Sequence, residues 1–430
     1  MQVDLAFGKT GLRVALPDGY RYRVMEARSA KALQDPGGAI RWALGHPEGC
    51  AALRELARGK RSAAISVCDI TRPAPNAVVL PPVLAILEEA GIPRGNITIL
   101  IATGLHRPAT EAEIREIVGP EIAASYRVEN HHARELAEHS YLGETASGTP
   151  VHIDARFTGA DLRITLGFIE PHLMLGFSGG RKLVAPGLAA QETIKVLHSS
   201  MFMRDARTHE GSIADNPLHR ELLEIARMAG HDFLVDVALG RAAAGERRPI
   251  AAVFAGDPVK AHARGVEFVS RVMLEELDEP VDAVITTAAG YPLDLTYYQA
   301  IKGVTAAAHV VKEGGRILLL ASCEEGLGAH EFAAMAGRYG SGPEFLKAIE
   351  GVPVTVDQWQ LEKLALAAAK ARLLFYLPGV PVEFRGSLWG PAFGEPESAV
   401  EALLAGLPEG ARVAVIPEGP YVLARPQSPN

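Results

Sequence analysis

The sequence predicts an α/β fold of two domains, each with a mainly parallel sheet flanked by helices and with the active site in the cleft between them. At 430 residues the chain exceeds the size of a single hydrophobic core. Apolar strand-like runs alternate with amphipathic segments, a pattern typical of parallel α/β layers. An acidic, proline-containing stretch at 278–280 marks the expected linker. We therefore assign residues 1–277 to an N-terminal domain and residues 278–430 to a C-terminal domain.

The elements of the N-terminal domain follow from short apolar runs and one helix-start signal. Thr110 and Glu113 have the spacing of a capping box, in which each side chain bonds the other residue's backbone N–H group. The predicted elements are a hairpin at 3–16, a strand at 62–68, a helix at 80–89, strands at 96–102, 162–168 and 233–239, and a helix at 258–277.

The C-terminal domain continues the same alternation of strands and helices. Its predicted elements are a strand at 282–287, a helix at 296–311, a strand at 316–321 and a helix at 359–371. A final apolar run at 411–416 predicts a strand that either closes the second sheet or returns to the first, because periodicity does not select its neighbours.

Composition argues against several classes of protein. The net charge is −8 and Lys and Arg form no block, which argues against a nucleic-acid partner. The longest apolar runs, such as 317–321, are too short to cross a bilayer, and residues 1–5 lack the features of an export signal. Three cysteines without metal-type spacing fit a reducing compartment. We expect a cytoplasmic protein that acts on a small molecule, without nucleic-acid or membrane partners.

Polar side chains follow the predicted strands at their carboxyl ends, where open parallel sheets bind ligands. Each has an ordinary structural explanation when taken alone, such as a turn for an aspartate or a bond to a loop carbonyl for a histidine. Their shared position favours a site. The residues are Asp69–Arg72 after the first strand, His106 after the second, His172 after the third, and Gly290–Asp294 leading to Tyr298, Gln299 and Lys302 in the second domain.

The segment around Lys182 is the strongest chemical signal. It reads Ser178-Gly-Gly-Arg-Lys182, and its glycines allow a close approach of the backbone to a ligand. The neighbouring charge of Arg181 is expected to lower the pKa of Lys182 and favour its nucleophilic amine. His172 and His198 flank the lysine and supply a metal ligand or a proton carrier.

These residues together resemble the nickel-pincer-nucleotide lactate racemase family, over both halves of the chain and in the same order. Any one motif alone is weak, whereas the set is specific. The matching motifs are Asp69-Ile-Thr-Arg72-Pro, Gly104-Leu-His106-Arg107-Pro108-Ala-Thr, Pro171-His172, Gly176-Phe-Ser-Gly-Gly-Arg-Lys182, Gly290-Tyr-Pro-Leu-Asp294 and Tyr298-Gln-Ala-Ile-Lys302.

The resemblance implies a cofactor and a role for each matching residue. The cofactor is a pyridinium-3,5-bisthiocarboxylic acid mononucleotide that holds nickel, and Lys182 is joined to it covalently. His198 is the protein ligand of nickel, and His106 and His172 are the acid and base on opposite faces of the substrate. The loop of Asp69, Ile70, Thr71 and Arg72 contacts the cofactor, and the substrate is held by Arg72, Tyr298, Gln299 and Lys302.

The implied reaction is the interconversion of the enantiomers of a 2-hydroxy acid, lactate or a related acid. One histidine takes the hydroxyl proton while hydride leaves the substrate, and hydride returns to the other face of the resulting 2-keto acid. Proteins that synthesise the cofactor are the implied partners. Met174 stands where relatives often have an aromatic residue, which favours a pocket for a side chain other than methyl.

Other functions remain open on the residues themselves. Lys182 fits a Schiff-base or pyridoxal-phosphate enzyme. His106, His172 and His198 fit a metal-dependent hydrolase with a three-histidine site. A non-catalytic carboxylate-binding protein would use the cations alone. An NAD dehydrogenase is disfavoured because no predicted strand is followed by GxGxxG.

Overall fold

The structure is a computed structural model that describes residues 1–28, 30–241 and 247–427. The strands in the first part of the chain are β1 (Gln2–Leu5), β2 (Leu12–Ala15), β3 (Arg21–Val24), β4 (Ala63–Cys68), β5 (Ile97–Ala102), β6 (Arg127–Asn130), β7 (His139–Glu144), β8 (Pro150–Asp154) and β9 (Leu162–Phe168). They are followed by β10 (Pro171–His172), β11 (Gly176–Phe177), β12 (Phe233–Leu239), β13 (Ile250–Gly256), β14 (Leu274–Leu277), β15 (Val281–Thr287), β16 (Val311–Leu320), β17 (Arg372–Tyr376), β18 (Arg412–Ile416) and β19 (Leu423–Pro426).

The helices lie between these strands. They are α1 (Pro36–Gly45), α2 (Leu53–Ala57), α3 (Asn76–Glu89), α4 (Glu111–Val118), α5 (Pro120–Ser125), α6 (Ala155–Thr158), α7 (Gln191–Leu197), α8 (Ser200–Met203), α9 (Pro217–Met228), α10 (Lys260–Met273), α11 (Tyr297–Ala308), α12 (His330–Arg338), α13 (Gly342–Ala348), α14 (Gln358–Lys370) and α15 (Pro396–Leu404). None of the described helices has the length and apolarity needed to traverse a bilayer.

The first sheet has the strand order β13-β12-β9-β4-β5-β6. Its pairs are parallel except at the β13 edge, which runs antiparallel to β12. Every residue of β4 is buried, because helices cover both faces. Alternate side chains point to opposite cores: Ile65 and Val67 pack with α1 to α5, and Ala64 packs with α6 to α9.

The second sheet has the order β17-β16-β15-β18-β3 and is parallel throughout. Helices α11 to α14 pack on one face. Helix α15 and the β1–β2 hairpin pack on the other face. The predicted fold class, two mainly parallel sheets flanked by helices, is confirmed, and so is the capping box of Thr110 and Glu113 at the start of α4.

The division of the chain between the two sheets differs from the predicted one at its beginning. Residues 1–277 were assigned to one domain, whereas β3 pairs with β18 and the β1–β2 hairpin packs on the second sheet. The sequence Arg21–Val24 gives no apolar signal, because β3 is an edge strand whose side chains are alternately exposed. Strand β18, for which the sequence allows either sheet, pairs with β15 and so belongs to the second sheet.

Candidate active site

A cavity that is partly open to solvent lies where the two sheets' domains meet. Two lysines, one arginine, one histidine and two carboxylates converge in it. Its lining is Arg72, Glu170, Pro171, His172, Leu173, Lys182, Glu210, Leu293, Lys302, Pro420 and Tyr421. The structure therefore brings together Arg72, His172, Lys182 and Lys302 from widely separated positions in the sequence.

Strand ends deliver most of these groups, as in other open parallel sheets. Strand β4 leads into Asp69–Arg72, β5 leads into His106, and β9 leads into Glu170–His172. In the second domain β15 leads to helix α11, whose first turn begins at the N-cap Thr296 and whose second contains Lys302. Glu210 and Tyr421 also line the cavity but lie on connecting segments, where periodicity gave no signal.

His106 is paired with a buried carboxylate. Its Nδ1 lies 2.6 Å from Asp69 Oδ2, and Thr71 Oγ1 donates to the other oxygen of Asp69 at 2.7 Å. Burial favours the neutral form of Asp69, yet the hydrogen bond and charge of His106, with the charge of Arg72, lower its pKa below the ordinary value. In the neutral form of His106, an ionised Asp69 places the ring proton on Nδ1 and leaves Nε2 as an acceptor. The imidazole is 42% exposed and does not line the cavity itself.

His172 has the opposite arrangement. Its Nδ1 accepts the backbone N–H groups of Met174 and Leu175 at 3.4 and 3.3 Å. Desolvation, followed by the charges of Lys182 and Lys302, lowers its pKa well below 6.5. The ring is therefore neutral, and the tautomer that these two long contacts favour has its proton on Nε2.

Lys182 has a strongly lowered pKa, but not for the reason expected from the sequence. The causes are desolvation, then the charges of Arg72 and Lys302. The adjacent Arg181 is turned away from the cavity and only 1% exposed, and its guanidinium donates to the carbonyl oxygens of Leu175 and Phe177 at 3.1 and 3.0 Å. Arg181 therefore stabilises the loop. The amine of Lys182 is neutral because it is desolvated in the cavity and faces Arg72 and Lys302.

The glycines before Lys182 are required by packing against β12. Gly179 and Gly180 have φ of 86° and 49°, a region that side chains disfavour. A Cβ on Gly179 would lie 2.5 Å from Asp236 Oδ2, and one on Gly180 would lie 2.8 Å from Leu234 Cδ1. The close approach expected from the sequence is made to the protein's own strand, and it sets the position from which Lys182 enters the cavity.

His198 is the C-cap residue of α7. Its Nδ1 lies 2.8 Å from the carbonyl oxygen of Ile194, which can only accept, so that Nε2 carries a lone pair. Desolvation lowers its pKa to about 4. The ring of Trp359, on α14 of the second domain, packs against the imidazole, with 4.4 Å between the two ring centroids. Sequence reasoning missed Trp359 because this contact joins separate domains.

The predicted site residues that do not line the cavity are Asp69, Ile70, Thr71, His106, His198, Tyr298 and Gln299. Ile70 packs against the core of the first sheet. Tyr298 accepts a hydrogen bond from Trp359 Nε1 at 3.1 Å. Gln299 Oε1 is buried and has no hydrogen-bond partner among the described residues. Within those residues, no three His, Cys, Asp or Glu side chains are grouped to bind a metal.

Comparison with protein families and curated sequences identifies close relatives. The lactate racemase N-terminal domain family matches residues 7–211, and the lactate racemase C-terminal domain family matches residues 277–423. Lactate racemase of Thermoanaerobacterium thermosaccharolyticum is 31% identical over 98% of this chain and 99% of its own length. Lactate racemase of Lactiplantibacillus plantarum is 33% identical over 89% of each chain.

Solved structures agree with the sequence matches. The lactate racemase apoprotein from Thermoanaerobacterium thermosaccharolyticum superimposes with a TM-score of 0.91 at 30% identity, over 99% of this chain and 100% of that one. A protein from Thermotoga maritima superimposes with a TM-score of 0.67 at 16% identity, over 91% of this chain and 98% of that one, and shows a shared fold alone. The expectation of an isomerase is confirmed: this chain belongs to the lactate racemase family.

Proposed function

We propose that this protein racemises or epimerises a 2-hydroxy acid, lactate or a related acid, with a nickel-pincer nucleotide attached to Lys182. The observation that supports this best is the cavity itself. It places two cations for a carboxylate, Arg72 and Lys302, beside an uncharged lysine and a neutral histidine. The names of the two relatives support the reaction and the substrate class.

The residues fit the proposed cofactor. Lys182 is an uncharged amine and therefore a nucleophile able to form a covalent bond. His198 donates its Nδ1–H to a backbone carbonyl and keeps Nε2 free, the arrangement usual for metal-binding histidines. Imidazole nitrogen is a suitable donor for nickel. When bound, the cofactor supplies the hydride acceptor.

The other residues bind the substrate and move its proton. Arg72 is held by Thr71, to whose hydroxyl and carbonyl oxygens its Nη1 donates at 3.0 and 3.2 Å. Together with Lys302, Arg72 would hold the substrate carboxylate while the 2-keto acid rotates to present its other face. His106 would accept the hydroxyl proton of one enantiomer at Nε2, and His172 would accept that of the other at Nε2, in the tautomer with its proton on Nδ1. Each imidazolium would return its proton to the alkoxide formed when hydride comes back on its own side.

The proposed function is tested by producing the protein together with the cofactor-synthesis proteins, which are its proposed partners. Loss of optical rotation is then measured for both enantiomers of a panel of 2-hydroxy acids, with intact mass and nickel content. Racemisation by protein with an added mass on Lys182 supports the proposal. Activity in protein that lacks that mass would contradict it. The three cysteines are free thiols, which supports action in the cytoplasm.

Replacing Asp69 by asparagine is expected to lower kcat about 10²–10⁴-fold, the usual contribution of an acid–base group. The amide no longer fixes the Nδ1 proton of His106, so Nε2 loses its role as acceptor. Racemisation rate and intact mass are measured together. Asp161→Asn, at a surface carboxylate paired with Arg61, is the matched control. A kcat within threefold of wild type in Asp69→Asn would exclude this role.

Substrate affinity is expected to fall as pH rises above 7. Desolvation and the charge of Arg72 lower the pKa of Lys302 to about 7, so its charge is present below that pH and lost above it. The substrate carboxylate stays ionised throughout this range. KM should therefore rise between pH 7 and 9, approaching tenfold per pH unit. Lys302→Arg keeps its charge and should remove the dependence. A flat wild-type KM to pH 9 would contradict the assignment.

A further inference from the structure

We propose that Glu210 is a positioning residue that fixes helix α11, and with it Lys302, against the first domain. The inference rests on the proposed function, in which Lys302 holds the substrate carboxylate. Glu210 lies in the connection between α8 and α9 and lines the cavity beside Lys302. It is one of the two carboxylates there, and its partners lie in the other domain.

Both carboxylate oxygens of Glu210 bond to α11. Oε1 accepts from Thr305 Oγ1 at 2.7 Å, and Oε2 lies 2.7 Å from Nε2 of His309, the C-cap of the helix. Lys302, Thr305 and His309 follow one another by three and four residues, so they share one face of α11. A contact at Thr305 and His309 therefore sets the rotation and the axial position of the turn that presents Lys302.

The contact is buried and charged. The Glu210 side chain is only 10% exposed. Burial favours its neutral form, but the hydrogen bond and charge of His309, with the hydrogen bond of Thr305, lower its pKa below the ordinary value. A buried, ionised carboxylate that makes a hydrogen bond with each of its oxygens is a stronger restraint than a surface ion pair.

The segment around Glu210 also connects α14 with the loop of Lys182. Arg204 Nε donates to the buried Glu362 at 2.8 Å, and Lys363 Nζ donates to the carbonyl oxygen of Thr208 at 2.6 Å. Beyond Glu210, Gly211 N–H bonds the carbonyl oxygen of Gly176 at 3.0 Å, at the start of the loop that leads to Lys182. Residues 204–211 thus link the cofactor side of the cavity to the substrate side.

The test compares Glu210→Ala, His309→Ala and the double variant in the cofactor-loaded enzyme. Each single variant should raise KM for the 2-hydroxy acid about tenfold with kcat changed less than threefold, because the lost restraint acts on carboxylate binding in ground and transition state alike. The KM of the double variant should not exceed the higher of the two single-variant KM values, since both substitutions break the same contact. Glu210→Gln, which can still accept from Thr305, should fall between wild type and Glu210→Ala.

Two further variants separate this inference from the proposed function. Glu350→Ala removes an exposed partner of Arg204 in the same segment and should leave KM unchanged. Lys302→Met should raise KM at least as much as Glu210→Ala. If Lys302→Met raises KM and neither Glu210→Ala nor His309→Ala does, Glu210 has no positioning role and the proposed function stands. If the two single effects add in full, the coupling is overturned. If Lys302→Met leaves KM unchanged, the carboxylate assignment fails and this inference fails with it.

Discussion

Lys182→Ala is expected to give a folded protein that carries no covalent cofactor and does not racemise 2-hydroxy acids. The amine at this position is uncharged because it is desolvated and faces Arg72 and Lys302 in the cavity. Removing a side chain whose charge is already disfavoured costs little folding free energy. Intact mass, nickel content and melting temperature are measured on protein made with the cofactor-synthesis proteins.

Lys195→Ala is the matched control, because Lys195 lies in α7 of the same domain and outside the cavity. It should keep the added mass and the activity. An added mass that persists in Lys182→Ala would place the attachment elsewhere. Activity of Lys182→Ala without that mass would show that covalent attachment is not needed for the reaction.

His106→Ala and His172→Ala are each expected to reduce racemisation about 10²–10⁴-fold while the cofactor mass is retained. The two variants should also differ in a half-reaction. Because the two imidazoles serve opposite enantiomers, each variant should still convert one enantiomer to the 2-keto acid in a single turnover and fail with the other. The enantiomer that reacts should be opposite in the two variants.

The half-reaction is measured with enzyme in excess over substrate, with the 2-keto acid trapped by a hydrazine. Wild type should form it from both enantiomers. His132→Ala, at a half-exposed histidine paired with Glu138, is the control and should behave as wild type. Formation of the 2-keto acid from both enantiomers in both variants would show that one shared group, and not a pair of histidines, takes the proton.

The sequence predicted the centre of the fold better than its edges. Strands β4, β9 and β12 are buried on both faces, so they are mostly apolar, with only one or two polar residues each, and are easily located. Strand β3 has alternating polar residues at a sheet edge, and its neighbour β18 lies almost 400 residues later in the chain. No local pattern records such a pairing.

The same distinction holds in the candidate site. Residues at strand ends, such as Arg72 and His172, could be placed together because parallel strands share an edge. The orientation of Arg181 could not be predicted, since it depends on carbonyl oxygens of a folded loop. Glu210 and Trp359 were missed because their contacts reach across from one domain to the other.

The placement of β3 in the second sheet makes the first domain an insertion within the second. The chain enters the insertion after residue 24 and leaves it near residue 274, and the two passages run side by side, with Arg28 N–H bonded to the carbonyl oxygen of Val272 at 2.9 Å. A rotation of one domain relative to the other would therefore take place about these two adjacent connecting segments. A single proteolytic cut in either passage would therefore leave the two domains joined by the other passage. Deleting β1 to β3 would destabilise the second domain, with whose sheet these strands pack, and not the first domain, which follows them in the sequence.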